Sequence, residues 1–430
     1  MVSLIAELVG LQKTQWLAGP ELERIQARKL RQVIAHAYSS VPLYKSLFDS
    51  AGLSPVQVSS VSDLSRLPIV SKADIQRAGR SAFAQNVDLS GCVWLKTSGS
   101  DGSALSLPFT KLDKARRVLK EIRALIANGF RLTDRMILIV EPRCVVEHNA
   151  WFQKLGLLRR KCLSIFCSPA EQLVWIRSWK AQALYGYTSE LRILADILVG
   201  SQTGTPPMRL VITSAELLEP VARRSIEKAF GVAPTDFYGS MELGWIAWEC
   251  PERAGYHMNS DCLIVECVKD GRPAVRGEEG ELVITNLYSF AAPLIRYATG
   301  DVGTLSTGSC KCGRGLPLIS SIRGRMVDRV VLPSGEMISP YVLTCAIENV
   351  PGVKRFQIVQ DDSSRLRVDF VPACDPEEIV PLLAARIERV VGPTMQVDVR
   401  PVDDIHREES GKFKVVKSEL GRACGVADRV

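Results

Sequence analysis

The chain has 430 residues, of which 46% are hydrophobic and 23% are charged. This balance is typical of a globular protein and excludes a disordered or fibrous chain, and the length predicts two domains of unequal size. The formal charge of +7 is spread along the chain, which argues against nucleic-acid binding. No apolar stretch is long and uncharged enough to cross a bilayer.

The N-terminal segment and the cysteines predict the compartment. The first ten residues contain Glu7 within an apolar run and have no basic lead, which makes them a poor signal peptide. The twelve cysteines are irregularly spaced, and a reducing compartment would keep most of them as small buried hydrophobes. We therefore predict a cytoplasmic protein.

The order of the predicted elements indicates an α/β fold. The first forty residues include the helical pattern RKLRQVIAHAY, and two short segments broken by proline follow it. From about Ala115 onward helices alternate with strands, which implies a layered sheet with helices on its faces. The predicted helices are ARRVLKEIRALIANG, SPAEQLVWIRSWK and EPVARRSIEKAF, and the predicted strands are RMILIV, CLSIF, ALYGY, MRLVIT and ELVIT.

A second pattern begins after the turn-rich stretch TGSCKCGRGLP and the segment SSIRGRMVDRVVLPSG. The strands FQIVQ and LRVDF, the helix PEEIVPLLAARIERVV and the strand MQVDV follow one another there. This compact α+β pattern is that of an independent domain. We predict a large, multi-layer α/β domain over residues 1–327 and a small, mobile α+β domain over residues 328–430.

The first candidate motif is a loop rich in hydroxyl groups and glycine, Thr97 to Ser103, after the apolar segment CVWLK. Such a loop turns tightly and presents N–H and hydroxyl donors, so it can hold phosphate oxygens. A polar hairpin turn would have the same composition. It lacks the Gly-Lys-Ser/Thr ending of a Walker loop, and Asp101 is unfavourable beside a phosphate because two negative charges repel each other.

The second motif is Asp236 to Glu242, with the sequence DFYGSME, after a predicted helix and strand. An aromatic residue beside a glycine at a strand end can stack on a base, and a nearby carboxylate can hold Mg²⁺ through its hard oxygens. The alternative is a strand edge with a packed tyrosine.

The third motif is RYATGD, which ends at Asp301. A carboxylate just after a glycine turn can accept hydrogen bonds from two ribose hydroxyls. An aspartate in an ordinary β-turn is the alternative.

Taken in order, these motifs and the later segments GRMVDRVVLPSGEMISP and ESGKFKVV resemble the adenylate-forming superfamily of acyl-CoA ligases. Within it, KLRQVIAHAYSSVPLYKSLFDSAGLSP, SDLSRLPIVSKADI, GYTSEL and CKCGRGLP look like segments of phenylacetate–CoA ligase and its relatives, and the resemblance covers nearly the whole chain. It implies that the protein activates a carboxylic acid with ATP and Mg²⁺ and then transfers the acyl group to coenzyme A. Relatives also suggest a homodimer.

The resemblance further implies the roles of individual residues. In this family the hydroxyl-rich loop holds the ATP phosphates, the YGSME segment contacts adenine and magnesium, and the aspartate of TGD binds ribose. A lysine of the C-terminal domain contacts the substrate carboxylate and the α-phosphate, and that domain rotates about a hinge aspartate for the second step. Carried over by position, the phosphate contacts fall on Thr97, Ser98, Gly99, Ser100 and Gly102. The other nucleotide contacts fall on Ala215, Glu216, Tyr238, Gly239, Ser240, Asp301 and Arg325. Glu242 would bind magnesium, Lys412 and Glu242 would be catalytic, and Asp328 would be the hinge.

The chain departs from the family pattern at four positions. Asp101 stands where Thr or Ser is usual, and Ser103 where a lysine or another residue is common. Val327 stands where the first of two acidic residues follows Gly-Arg, and Ala215 where relatives often have glycine or a differently arranged small residue. These departures leave the detail of the phosphate loop and the rate open, rather than the type of reaction.

A candidate metal site is formed by Cys250, by His257 seven positions later, and by Cys310 and Cys312 in a glycine-rich turn. Three thiolates and one imidazole are a complete tetrahedral set for structural zinc, with no open position for catalysis. Some relatives of phenylacetate–CoA ligase share this arrangement, which favours zinc over the alternative of free thiols near a turn.

The acyl pocket and the acceptor are the least determined features. We predict Tyr185, Tyr187 and Ala215 as pocket residues because they lie on segments that would converge at strand ends, where open α/β sheets place ligands. A small residue at Ala215 leaves room for a ring and favours an aryl or arylacetic acid. Two alternatives stay open: transfer of the acyl group to an amine or a carrier-protein thiol, and a non-catalytic relative that only binds nucleotide.

Overall fold

The computed structural model describes residues 2–96, 105–140, 151–165, 167–201, 207–325, 330–334, 337–338, 343–344, 346–347, 350–405, 414–418 and 420. Within these residues, every helix is too short or too polar to cross a membrane. The chain divides into two compact units. The first consists of Met1–Arg131 and Thr235–Ile322, and the second of Leu132–Pro234 and Arg323–Val430.

The N-terminal part of the first unit is mostly helical. Its helices are α1 Val2–Thr14, α2 Gly19–Ser40, α3 Pro42–Ser50, α4 Lys72–Ala78 and α5 Lys111–Ala127, and a hairpin of β1 Val93–Lys96 and β2 Ser106–Phe109 precedes α5. The helix α5 begins at a capping box, in which Thr110 Oγ1 accepts from Asp113 N and Asp113 Oδ2 accepts from Thr110 N. The predicted phosphate loop lies between β1 and β2.

The second unit begins with alternating strands and helices. These are β3 Arg135–Val140, α6 Trp151–Lys154, β4 Arg159–Ser164, α7 Pro169–Ser178, β5 Ala183–Tyr187, α8 Thr188–Ser201, β6 Leu210–Ser214 and α9 Pro220–Phe230. Neighbouring strands are parallel in the order β6-β5-β3-β4. The apolar runs of β3 and β6 are almost wholly buried, as is usual for parallel strands with both faces covered.

The chain then returns to the first unit and forms antiparallel strands. They are β7 Thr235–Ser240, β8 Gly244–Glu249, β9 Tyr256–Met258, β10 Leu263–Lys269, β11 Arg272–Pro273, β12 Glu279–Asn286, β13 Tyr297–Leu305 and β14 Leu318–Arg325. Residues 235–325 are all described and contain no helix, which differs from the alternation expected from the sequence. The reason is that antiparallel neighbours need only short turns, whereas parallel ones need a crossover.

The C-terminal part forms its own hydrophobic core. It contains β15 Val330–Val331, β16 Met337–Ile338, β17 Val353–Gln360, β18 Arg365–Pro372, α10 Pro376–Val391, β19 Gln396–Pro401 and β20 Val416–Ser418. A four-stranded sheet has the order β19-β18-β17-β20, and a core cluster runs from Val330 to Val416. The α/β prediction is therefore confirmed. The domain boundary at Asp328 stays a prediction, because residues 326–329 lie outside the described residues.

Candidate functional site

The turn between β7 and β8 carries Glu242, and two glycines allow the strands to approach closely. The register pairs Gly239 with Trp245 and Ser240 with Gly244. A Cβ on Gly239 would lie 2.5 Å from the carbonyl oxygen of Gly244, and Gly244 has a φ of +65°, a conformation that residues other than glycine rarely adopt. The Ser240 hydroxyl closes the turn by accepting from Leu243 N at 3.2 Å.

Two of the predicted nucleotide residues meet in the first unit. The Tyr238 hydroxyl donates to Asp301 Oδ2 at 2.7 Å, although the two residues are 63 positions apart. The Asp301 backbone N–H donates to Thr299 Oγ1 at 3.1 Å, and the Thr299 hydroxyl donates to the Leu282 carbonyl at 2.8 Å. The hydroxyl of Tyr238, in β7, and the carboxylate of Asp301, in β13, are thus held in contact.

The Glu242 carboxylate has a partner of its own. The side chain is largely buried, and its Oε1 accepts a hydrogen bond from the Tyr297 hydroxyl at 3.2 Å. Tyr297 opens β13 and is the second residue of the RYATGD motif. The second and third sequence motifs are therefore linked twice, through Tyr238 with Asp301 and through Glu242 with Tyr297.

The other described candidates belong to the second unit, where they lie in or directly after the strands β5 and β6. Tyr187 pairs with Ser214 in the parallel register, so the two strands end side by side. Tyr187 is buried in the core cluster of this unit, whereas Tyr185 is half-buried. The Glu216 carboxylate accepts from the backbone N–H of Ser189 at 2.7 Å and from its hydroxyl at 3.0 Å. Glu216 thus anchors the first turn of α8, a contact that the sequence did not predict.

Ala215 is exposed and has a left-handed backbone, with φ of +69°. This conformation costs an L-residue about 1–2 kcal/mol. A glycine would remove that strain, but its larger freedom in the unfolded chain would offset part of the gain in stability. We expect Ala215→Gly to raise the free energy of unfolding by about 0.5–1 kcal/mol in urea titrations. Ala385→Gly, at an exposed position within the helix α10, is the matched control and should lower it by about 1 kcal/mol. Equal destabilisation by the two substitutions would show that the backbone at Ala215 is not strained.

The remaining candidates lie outside the described residues. These are Thr97, Ser98, Gly99, Ser100 and Gly102 of the phosphate loop, the departures Asp101, Ser103 and Val327, the hinge Asp328 and Lys412. Of Arg325 only the backbone at the end of β14 is described. Their roles stay predictions.

The four candidate metal ligands come together in the first unit. Cys250 follows β8, His257 lies in β9, and Cys310 and Cys312 lie between β13 and β14. Their ligand atoms all lie within 4.8 Å of one another, with 3.5 Å between the sulfurs of Cys250 and Cys310 and 3.3 Å from Cys312 Sγ to His257 Nε2. Ligand atoms of a tetrahedral zinc ion are separated from one another by about 3.5–3.8 Å, so the geometry of these four residues fits a zinc ion.

The protonation of His257 suits a metal ligand, whereas burial favours the protonated thiol at Cys250. Burial lowers the pKa of His257 to about 4, so its imidazole is neutral at pH 7, as a metal ligand must be. Its Nδ1 lies 3.4 Å from the Leu316 carbonyl, which leaves Nε2 facing the sulfurs. Burial raises the pKa of Cys250 to about 12. Burial opposes ionisation of Cys312 too, but hydrogen bonds from Arg314 outweigh it and lower the pKa of that thiol.

The glycine-rich loop that carries Cys310 and Cys312 is fixed to the end of α1. Gly315 N donates to the Gln15 carbonyl at 2.9 Å, and a Cβ on Gly315 would collide with the Leu17 carbonyl. Arg314 Nε donates to Gln15 Oε1 at 3.0 Å, and its guanidinium lies 4.7 Å from the centroid of the Trp16 ring. The cluster therefore joins the N-terminal helix to the sheet of the first unit.

Sequence comparisons identify relatives over most of the chain. Residues 330–419 match the family described as CapK C-terminal domain. The chain is 28% identical to a phenylacetate-coenzyme A ligase of Thermus thermophilus, over 92% of this chain and 96% of that protein. It is 27% identical to one from Escherichia coli, over 73% of each chain, and 21% identical to the Staphylococcus aureus protein CapK, over 83% and 80%.

Structural comparison finds the same fold in solved coenzyme A ligases. A crystal structure of 2-hydroxyisobutyryl-CoA ligase in the postadenylation state matches with a TM-score of 0.79 at 21% identity, over 96% of this chain and 93% of that one. The same ligase with 2-HIB-AMP and CoA in the thioesterification state matches with a TM-score of 0.65. The resemblance predicted from the motifs is confirmed. The chain is similar to phenylacetate–coenzyme A ligases over most of its length, and its fold is that of the adenylate-forming coenzyme A ligases.

Proposed function

We propose that the protein is an AMP-forming acid–thiol ligase, which converts a carboxylic acid to its acyl adenylate and then to an acyl-CoA thioester. The observation that carries this proposal is the contact between Tyr238 and Asp301 at 2.7 Å, with Glu242 on the turn that follows Tyr238. It brings together, in one unit, the residues to which the resemblance assigns adenine, ribose and magnesium. The relatives named phenylacetate-coenzyme A ligase support the choice of reaction.

The chemistry explains why these residue types are needed. A carboxylate that attacks the α-phosphorus of ATP brings two anions together, so the reaction needs positive charge and correct positioning more than acid–base groups. Lys412 would supply one charge. Glu242 would hold Mg²⁺, which when bound neutralises charge on the phosphate oxygens. Asp301, whose Oδ2 accepts from the Tyr238 hydroxyl, would also accept hydrogen bonds from ribose.

The acid is proposed to be aryl or arylacetic. The half-buried Tyr185 lies in the middle of β5, and the exposed Ala215 directly follows the neighbouring strand β6. A small residue at 215 leaves room for a ring. The names of the phenylacetate-coenzyme A ligase relatives point the same way. Tyr187 belongs to the core cluster, so of the three predicted pocket residues it has the least surface to offer a ligand.

The metal cluster is proposed to hold one structural zinc ion. Cys250, His257, Cys310 and Cys312 supply four ligands, so no position would stay open for a substrate, and the ion would stabilise the loop that meets α1. We further propose that the enzyme is cytoplasmic and forms a homodimer, with no nucleic-acid or membrane partner. The charge and cysteine pattern of the sequence and the resemblance to the relatives support this proposal.

The proposed function is tested by measuring pyrophosphate release from ATP and Mg²⁺ with a panel of aryl, arylacetic and fatty acids. Release should depend on the acid and be fastest with an aryl or arylacetic acid. Coenzyme A should then give an acyl-CoA that mass spectrometry detects. Acid-dependent release without a thioester would favour an amine or a carrier protein as acceptor. Absence of release with every acid would favour the non-catalytic, nucleotide-binding alternative.

A further inference from the structure

A fully buried lysine on α5 holds the turn that carries Glu242. Lys120 has no exposed surface, and its Nζ donates to the Leu243 carbonyl at 2.7 Å. The Tyr288 hydroxyl donates to the same carbonyl at 3.0 Å, and Lys120 Nζ lies 5.0 Å from the centroid of the Tyr288 ring. The peptide between Leu243 and Gly244, one residue beyond Glu242, is therefore fixed from the side of α5.

An arginine one turn earlier on α5 holds the peptide that precedes Glu242. Arg117 donates from Nη1 to the Met241 carbonyl at 2.7 Å, and its Nε pairs with Glu121 at 3.3 Å. A Cβ on Gly244 would lie 2.8 Å from Glu121 Oε1 and 2.9 Å from Arg117 Nε. The close approach of α5 to the turn thus depends on a glycine at the turn's end.

These contacts leave the backbone around Glu242 little freedom. The carbonyls on either side of it are each bound by a basic side chain of α5, and the Leu243 N–H donates to Ser240 Oγ. The Glu242 side chain then receives the Tyr297 hydroxyl on Oε1. A carboxylate that must hold a metal and ATP in one geometry benefits from this kind of support, because groups that orient a metal ligand set its affinity.

Stability alone gives no reason for a lysine at this position. Moving an ammonium group out of water costs several kcal/mol, and an apolar residue of similar volume fills such a site at least as well. Burial lowers the pKa of Lys120 to about 7, which reflects this cost. The nitrogen donates to the Leu243 carbonyl in either protonation state.

We propose that Lys120 and Arg117 are positioning residues for adenylation, which act by holding the backbone carbonyls of Leu243 and Met241, the residues on both sides of Glu242. This inference rests on the proposed function, in which Glu242 serves the ATP half-reaction. It predicts a selective defect: formation of the acyl adenylate should suffer, and transfer of a preformed acyl group to the thiol should not.

The test compares Lys120→Met and Arg117→Met with Arg116→Met, using the acid that the panel identifies. Arg116 lies on the same helix but pairs with Glu7 at 3.1 Å, so its loss removes an equal charge without touching the turn. The adenylation rate of the first two variants should fall by about 10- to 100-fold, with a matching rise in the Mg²⁺ concentration for half-maximal rate. The rate from the synthetic acyl adenylate and coenzyme A should be unchanged.

Rescue separates positioning from folding. Arg117→Lys keeps one donor for the Met241 carbonyl, so it should recover part of the rate that Arg117→Met loses. Equal loss in both half-reactions, or equal behaviour of all three Met variants, would overturn the inference. A wild-type protein that forms no adenylate would instead overturn the proposed function, so the two failures are distinguishable.

Discussion

Lys412→Ala should lower acid-dependent pyrophosphate release by about 100- to 1,000-fold, the usual cost of removing a group that stabilises developing charge. Lys412 would meet the substrate carboxylate and the α-phosphate while the attack brings two negative charges together. Its loss leaves that repulsion unbalanced in the transition state. The effect should therefore appear in kcat more than in the KM for ATP.

The same substitution should spare the second half-reaction. The resemblance implies that the C-terminal domain rotates after adenylation and withdraws Lys412, so the synthetic acyl adenylate and coenzyme A should react at the wild-type rate. Lys417→Ala is the matched control, because it removes the same charge from β20 in the same segment. Loss of both half-reactions in Lys412→Ala, or an equal defect in Lys417→Ala, would contradict the assigned role.

Purified wild-type protein should contain one zinc ion per chain, and Cys310→Ser with Cys312→Ser should lose it. Structural zinc contributes about 10–16 kcal/mol of apparent binding free energy in zinc-finger peptides. Even about 4 kcal/mol of lost stability should lower the Tm by about 4 °C in a chain of this size. Metal analysis by mass spectrometry and a thermal unfolding scan measure the two effects on the same samples.

The control for this experiment is another cysteine. Cys374 is exposed and lies outside the cluster, so Cys374→Ser should keep both the metal and the Tm. Zinc-free wild-type protein, or variants that lose no stability with their metal, would refute the structural zinc site. Because the four ligands would fill the coordination of the ion, careful removal of zinc should affect stability before it affects the chemical step.

The sequence by itself determined the α/β class, the order of the motifs and the four candidate metal ligands. These features depend on local pattern: the buried strands β3 and β6 are continuous apolar runs, and Cys310 and Cys312 stand out in a glycine-rich turn. The secondary structure of residues 235–325 was harder to predict from the sequence. Short strands joined by turns have weak periodicity, and neighbours in the sheet are not neighbours in the chain.

Only the tertiary structure decided what the polar side chains do. Helical spacing places Lys120 and Arg123 near each other on α5, but it cannot tell that both are fully buried, one against the Leu243 carbonyl and the other in an ion pair with Asp261 at 2.5 Å. Likewise, the partners of Glu242 and Glu216 are Tyr297 and Ser189, contacts across 55 and 27 positions. Burial and long-range hydrogen bonds arise from packing between elements, which no local pattern encodes.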